Sequence, residues 1–199
     1  MRSRPRLIGF VVFGGPIILP VWAEEFGGKA MTDLPWTKSC IGDTCFTGSG
    51  KRTECRPVVN VTLVESKGGD NKRLSVTLSK TVDTGRAVRI QIDGAETISL
   101  PFDKCSSVGV GGCTAVYEGG PELADKLAQG KLLAVEAVDG TNSPLRLTLP
   151  LAGFATAHDG PGLEPKVIEH IVSEEEMRAL QEKAKREKEE RELRCGPDE

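Results

Sequence analysis

Aromatic side chains are scarce in this 199-residue chain: six Phe, two Trp and one Tyr make up 5% of it. So few rings leave little surface for stacking on bases or sugars. An excess of positive charge is missing as well. Lys and Arg total 26 against 29 Asp and Glu, a net charge of −3. A weakly acidic chain has no basic field to condense onto phosphates, so nucleic acid is not an expected partner. The chain also lacks a GxSxG elbow, a Walker loop and an HExxH pair, which removes the commonest hydrolase, nucleotide and metalloprotease signatures. No CxxC pair occurs, and a thioredoxin-like exchange needs two sulfurs close enough to attack in turn. His158 and His170 lie far from the cysteines, whose neighbours are separated by four, nine and seven residues. Structural zinc takes ligands paired two to four residues apart, so neither a metal nor a cofactor is expected.

A hydrophobic run of spanning length is likewise absent. Arg2, Arg4 and Arg6 precede an apolar stretch from Leu7 to Val21 that Gly14, Gly15, Pro16 and Pro20 interrupt. A membrane-crossing helix needs about 20 continuous apolar residues with an unbroken hydrogen-bond ladder. A positive start and a short apolar run instead predict a signal peptide over residues 1–23. Val21 and Ala23 fill the small-residue positions before a cut, so the mature chain is expected to start at Glu24; an uncleaved anchor is the alternative. Removal takes three arginines with it and moves the balance from −3 to −6. No span remains in the mature form.

What the chain does have is six cysteines: Cys40, Cys45, Cys55, Cys105, Cys113 and Cys195. In an exported chain an even number reads first as disulfides. Cys105 and Cys113 enclose SSVGVGG, whose glycines suit a tight reversal; bridging them stabilises by about 2–3 kcal/mol in the chain-entropy model. The same sequence makes Gly109, Gly111 and Gly112 a disulfide turn rather than a phosphate cradle, because a strand and not a helix follows. One local bridge within Cys40, Cys45 and Cys55 leaves a thiol over. Its partner is Cys195, clipping the C-terminal segment to the domain, unless Cys195 is free or joins another molecule.

From Trp36 to about Asp159 short alternating runs recur at about ten-residue intervals, the pattern of an antiparallel sandwich or barrel. In VVNVTLVE (Val58 to Glu65), RLSVTLSK (Arg73 to Lys80) and RAVRIQID, apolar residues take every second place, as a half-buried strand requires. Asp93-Gly94 makes a hairpin turn; TISLPF, CTAVYE, KLLAVEAVD and PLRLTLPL complete the strands. PELADKLAQG opens on Pro121 and closes on Gly130 around Leu123 and Leu127, the punctuation of one short crossover helix. LAGFATAHDG predicts a further helical turn. The expected organisation is a signal peptide over 1–23, a leader over 24–35, a disulfide-bonded β-domain over 36–161, and a linker with a charged helix over 162–199. GPGLEP is the linker, and a helix is expected from about Lys166 to Arg194. Ser173 with Glu176 fits a capping box, and eight acidic and seven basic residues interleave between Ser173 and Arg194. Such a run is a solvated helix, or in a sharper reading a partner-docking arm.

Two further positions stand out. Trp36 is expected to be a core anchor covering the first disulfide, with a binding surface as the alternative. His158 beside Asp159 is half of a catalytic pair or, in the simpler reading, loop chemistry; a triad requires geometry across the fold.

WTKSCIGDTCFTG followed by TEC, then PFDKCSSVGVGGCTAVYE, PELADKLAQGK and LPLAGFATAHDGP resemble the invasion-associated locus B family, exported proteins found mainly in alphaproteobacteria. The resemblance runs from about Trp36 to Pro161. It implies a periplasmic or envelope-associated, disulfide-bonded β-domain, linked in some intracellular pathogens to host-cell invasion, and it carries over no catalytic residue. The leading expectation is thus a non-enzymatic periplasmic binding or envelope-maintenance module acting on an envelope protein or glycan. A surface adhesin or invasion factor is the alternative. An exported hydrolase with His158 as its base comes third. Mass spectrometry of the exported protein should find Glu24 at the amino terminus; an intact Met1 would exclude cleavage.

Overall fold

The structure, a computed structural model, describes residues 25–26, 29–79, 82–106, 112–163 and 173–196. The expected signal peptide, the tip of the Cys105–Cys113 loop, the end of the expected linker and the expected start of the charged helix, His170 included, lie outside the described residues. Strands β1 (Glu25–Phe26) and β2 (Lys29–Ala30) form a small antiparallel hairpin. Seven strands make a larger antiparallel sheet: β3 (Thr32–Asp33), β4 (Thr37–Ile41), β5 (Thr44–Arg52), β6 (Pro57–Ser66), β7 (Lys72–Leu78), β10 (Phe102–Ser106) and β11 (Gly112–Gly119). Their order is β10-β11-β7-β6-β5-β3, and β4 shares the β5 edge with β3. A second sheet holds β8 (Val88–Ile92), β9 (Ile98–Leu100), β12 (Leu132–Val138) and β13 (Pro144–Pro150) in the order β13-β12-β8-β9. The two sheets form a sandwich, not a closed barrel.

Alternation explains which side of each strand is buried. In the larger sheet Val59, Val61 and Leu63 of β6 pair with Leu78, Val76 and Leu74 of β7, and all six are at most 1% exposed. Val88 and Ile90, Leu133 and Val135, and Leu147 and Leu149 supply the facing layer. Full burial of each such side chain stabilises by about 2 kcal/mol.

The hairpin between β8 and β9 turns at Asp93 and Gly94, with φ of 49° and 74°, the left-handed pair that a two-residue reversal requires. The Asp93 carboxylate also accepts the amides of Lys131 and Leu132, fixing where β12 starts beside β8. TISLPF, read as one strand, is divided between the two sheets. Pro101 has no N–H to offer a ladder, and the chain crosses there from β9 to β10.

Helices α1 (Glu122–Gln129) and α2 (Phe154–Asp159) connect or flank the sheets. The first joins β11 to β12, burying Leu123, Ala124 and Leu127, and it packs against the second. After these comes α3 (Glu174–Cys195), capped by a complete Ser173–Glu176 capping box. Every residue from Ser173 to Arg194 is exposed, so the solvated reading describes this helix. Residues 166–172, where its start was expected, are outside the described residues. Among the described residues no helix is long and apolar enough to cross a membrane.

The β12–β13 turn carries a pH-sensitive contact. Asp139 accepts hydrogen bonds from the Thr141 hydroxyl and from the amides of Thr141 and Ser143. These donors, led by the Thr141 hydroxyl, hold its pKa below the ordinary aspartate value. A lowered folded pKa gives stability that is present above the unfolded pKa and is lost as pH falls through the folded one. The stability difference between the protein and Asp139→Ala, from urea unfolding, should therefore be largest near neutrality and shrink in acid. A difference independent of pH would contradict this.

Candidate functional site

Strand phase creates a charged site at one end of the sandwich. Glu65 follows Val59, Val61 and Leu63 at two-residue spacing, so it faces inward; Lys72 precedes Leu74, Val76 and Leu78 in the same way. Register pairs Cys45 with Glu65 and Glu65 with Lys72. The aliphatic layer thus ends in a row of polar and sulfur-bearing side chains, with Lys72 Nζ on Glu65 Oε1.

Helix α2 closes over this row. It starts at Gly153, whose φ of 87° places the next residue, Phe154, in the core at 0% exposure. His158 lies four residues on, hence on the same face of the helix, and its ring stacks on Phe154 at 5.5 Å. That position brings His158 Nε2 to 2.7 Å from Glu65 Oε2, while Nδ1 meets Asp159 Oδ1 at 2.8 Å. The three partly buried side chains Glu65, Lys72 and His158 expose 17%, 19% and 21% of their surface. Lys38, from β4, donates to the carbonyls of His158 and Gly160, taking up acceptors that a helix end leaves unpaired. A cleft of about 280 Å³ opens beside the cluster, lined by Lys38, Asp43, Cys45, Glu65, Ser66 and His158 among others.

Both ring nitrogens of His158 face carboxylates. The imidazolium donates to both, and the neutral ring donates to one. In either form both ring nitrogens are directed at carboxylates. Cys45 is oxidised to a disulfide, and among the described hydrogen bonds no hydroxyl or thiol joins the histidine. The arrangement therefore works as a polar clasp between α2 and the sheet. The pair His158 and Asp159 is real in space, but its third member is Glu65, 93 residues away. The available sign of Glu65 and Lys72 was a charge falling on the apolar beat of a strand.

The cysteines join in three disulfides: Cys40–Cys45, Cys55–Cys195 and Cys105–Cys113, with Cα separations of 4.1, 5.6 and 4.0 Å. The first and third link register partners of neighbouring strands. The second ties α3 to the turn between β5 and β6. No group of His, Cys, Asp and Glu spaced for a metal ion occurs among the described residues.

Trp36 is 9% exposed and lies in the core, the anchor position rather than the alternative of a binding surface. Its indole N–H donates to the Pro150 carbonyl at 2.8 Å, and its ring meets Phe154 edge to face at 5.0 Å. The side chain joins the β4 segment to the end of β13 and the root of α2. An indole has both an apolar body to bury and a donor that demands an acceptor, and this junction supplies both. Trp36→Ala should lower the unfolding free energy by about 3 kcal/mol. Trp36→Phe, keeping a ring but leaving a carbonyl unpaired, should cost about 1 kcal/mol. Denaturant unfolding measures both, and unchanged stability would return Trp36 to the surface.

With this geometry in place, comparison with known proteins gives two findings. The sequence profile for "Invasion associated locus B (IalB) protein" matches residues 36–162. The crystal structure of invasion associated protein B from Bartonella henselae aligns with a TM-score of 0.53 and 22% identity, covering 64% of this chain and 91% of that one. At that identity the likeness is one of fold. No curated protein matches the chain.

Proposed function

The chain belongs to the invasion-associated locus B family, and from that premise we propose that it is an exported, periplasmic, non-enzymatic binding or envelope-maintenance module. The observation that carries the reading is the full pairing of its cysteines: the structure leaves no free thiol. Disulfides persist in oxidising compartments and are rare in the cytosol. The clasp around His158 supports a non-catalytic role, since a general base needs a nitrogen directed at the proton it removes. Its partner is a protein or glycan of the cell envelope.

Fractionation tests this directly. Osmotic shock should release the protein with the soluble periplasmic fraction, and protease applied to whole cells should leave it intact. A deletion strain should show increased sensitivity to envelope stress. Retention in the cytoplasm would overturn the reading.

The invasion-associated solved neighbour favours a second reading, a surface adhesin or invasion factor. Loss of the protein on whole-cell digestion, with reduced host-cell entry by the deletion strain, would select it.

A further inference from the structure

The three disulfides differ in what each holds together. Cys40–Cys45 and Cys105–Cys113 span 5 and 8 residues, and each joins positions already opposite one another in a β ladder. When a reductant thiolate opens either, the ladder holds the released thiolate beside the mixed disulfide, so it attacks back, expels the reductant and resists net reduction. Cys55–Cys195 spans 140 residues. Its domain half is rigid: the Thr53 hydroxyl accepts the amides of Cys55 and Arg56, and Thr53 is itself 2% exposed. Its other half is the last residue of α3, a helix with no buried side chain. Apolar packing therefore does not hold α3 in place, and the adjoining Arg194–Glu54 pair has side chains 60% and 69% exposed, where solvent screens it. Neither sulfur-bearing residue is buried.

We propose that Cys55–Cys195 is a thiol–disulfide exchange site for a dithiol reductant, and that opening it releases α3 from the β-domain while the other two bridges stay closed. One thiolate of the dithiol bonds to a sulfur of the bridge as the Cys55–Cys195 bond breaks, and the departing cysteine leaves as a thiolate and takes a proton. The second thiol of the dithiol then displaces the chain from the mixed disulfide. The dithiol leaves oxidised to a disulfide, and the chain keeps two thiols. Two electrons and two protons have passed to it. Selectivity follows from effective concentration: a short ladder holds its thiols together, whereas Cys195 ends a helix with no buried side chain and is not kept beside Cys55 once the bond opens.

Titrating the folded, oxidised full chain with dithiothreitol tests the site, with differential alkylation and peptide mass spectrometry to locate the opened cysteines. Cys55 and Cys195 should become alkylated at a reductant concentration about tenfold or more below that needed for the other four. Small-angle scattering across the same titration should show the radius of gyration rising with that first step. The Cys55→Ser/Cys195→Ser double variant should scatter like the opened protein without reductant. Opening of all three bridges together, or of Cys55–Cys195 last, would overturn the proposal. So would an unchanged radius of gyration after selective opening, which the wild-type titration reads even where the variant fails to fold.

Discussion

Burial of two aliphatic faces against each other is the constraint from which the other features take their positions. Leu63, Leu74, Val76 and their neighbours on the larger sheet meet Ile90, Val135, Leu147 and Leu149 on the smaller one. A dozen such side chains at about 2 kcal/mol each outweigh any single polar contact in the molecule. Because the layer is almost entirely Val, Leu and Ile, it supplies area but few directional contacts. The directional work falls to the places where the layer ends: Trp36 with Phe154 at one margin, and Glu65, Lys72 and His158 beyond it.

The disulfides add to this scheme in two different ways. Cys40–Cys45 and Cys105–Cys113 reinforce hairpins whose strands are already paired, so each restricts only a short stretch of the unfolded chain. Cys55–Cys195 closes a loop through most of the molecule. In the chain-entropy model its effect on the unfolded ensemble is the largest of the three, about 5 kcal/mol. Yet in the folded state it holds a helix that contributes no buried side chain. The sulfur bond thus restrains the chain across 140 positions and covalently anchors the end of its most solvated described element.

The end of the sandwich shows how a charged site arises without a motif. A strand in phase with the core carries whatever residue comes next to the inner side, and here that residue is Glu65. A carboxylate at such a position requires partners, and Lys72 and His158 provide them. The clasp then orients α2, whose terminal carbonyls Lys38 caps. The chain leaving α2 is drawn along β4, where the Leu163 amide donates to the Lys38 carbonyl. The exit toward α3 is positioned by the same cluster that closes the sandwich.

Much of this is legible in the order of residues. Period-two runs marked β6, β7, β8, β11, β12 and β13, and Pro121 with Gly130 bracketed α1, because these signals are local and repeat along the chain. The β4–β5 hairpin escaped, since TKSCIGDTCFTG has no apolar alternation and is held instead by its bridge and by pairing to β6. The split of TISLPF at Pro101 required knowing that two sheets meet there. By itself, then, the order of residues determined the strand-rich class, the solvated helix, the family resemblance and the even set of cysteines. Tertiary structure alone decided that Cys195 returns to Cys55, that Trp36 turns inward to Pro150, and that Glu65 finds His158. Periodicity is written into neighbours two to four places apart, whereas those three contacts depend on how sheets stack and helices cross, which brings together residues more than ninety positions apart.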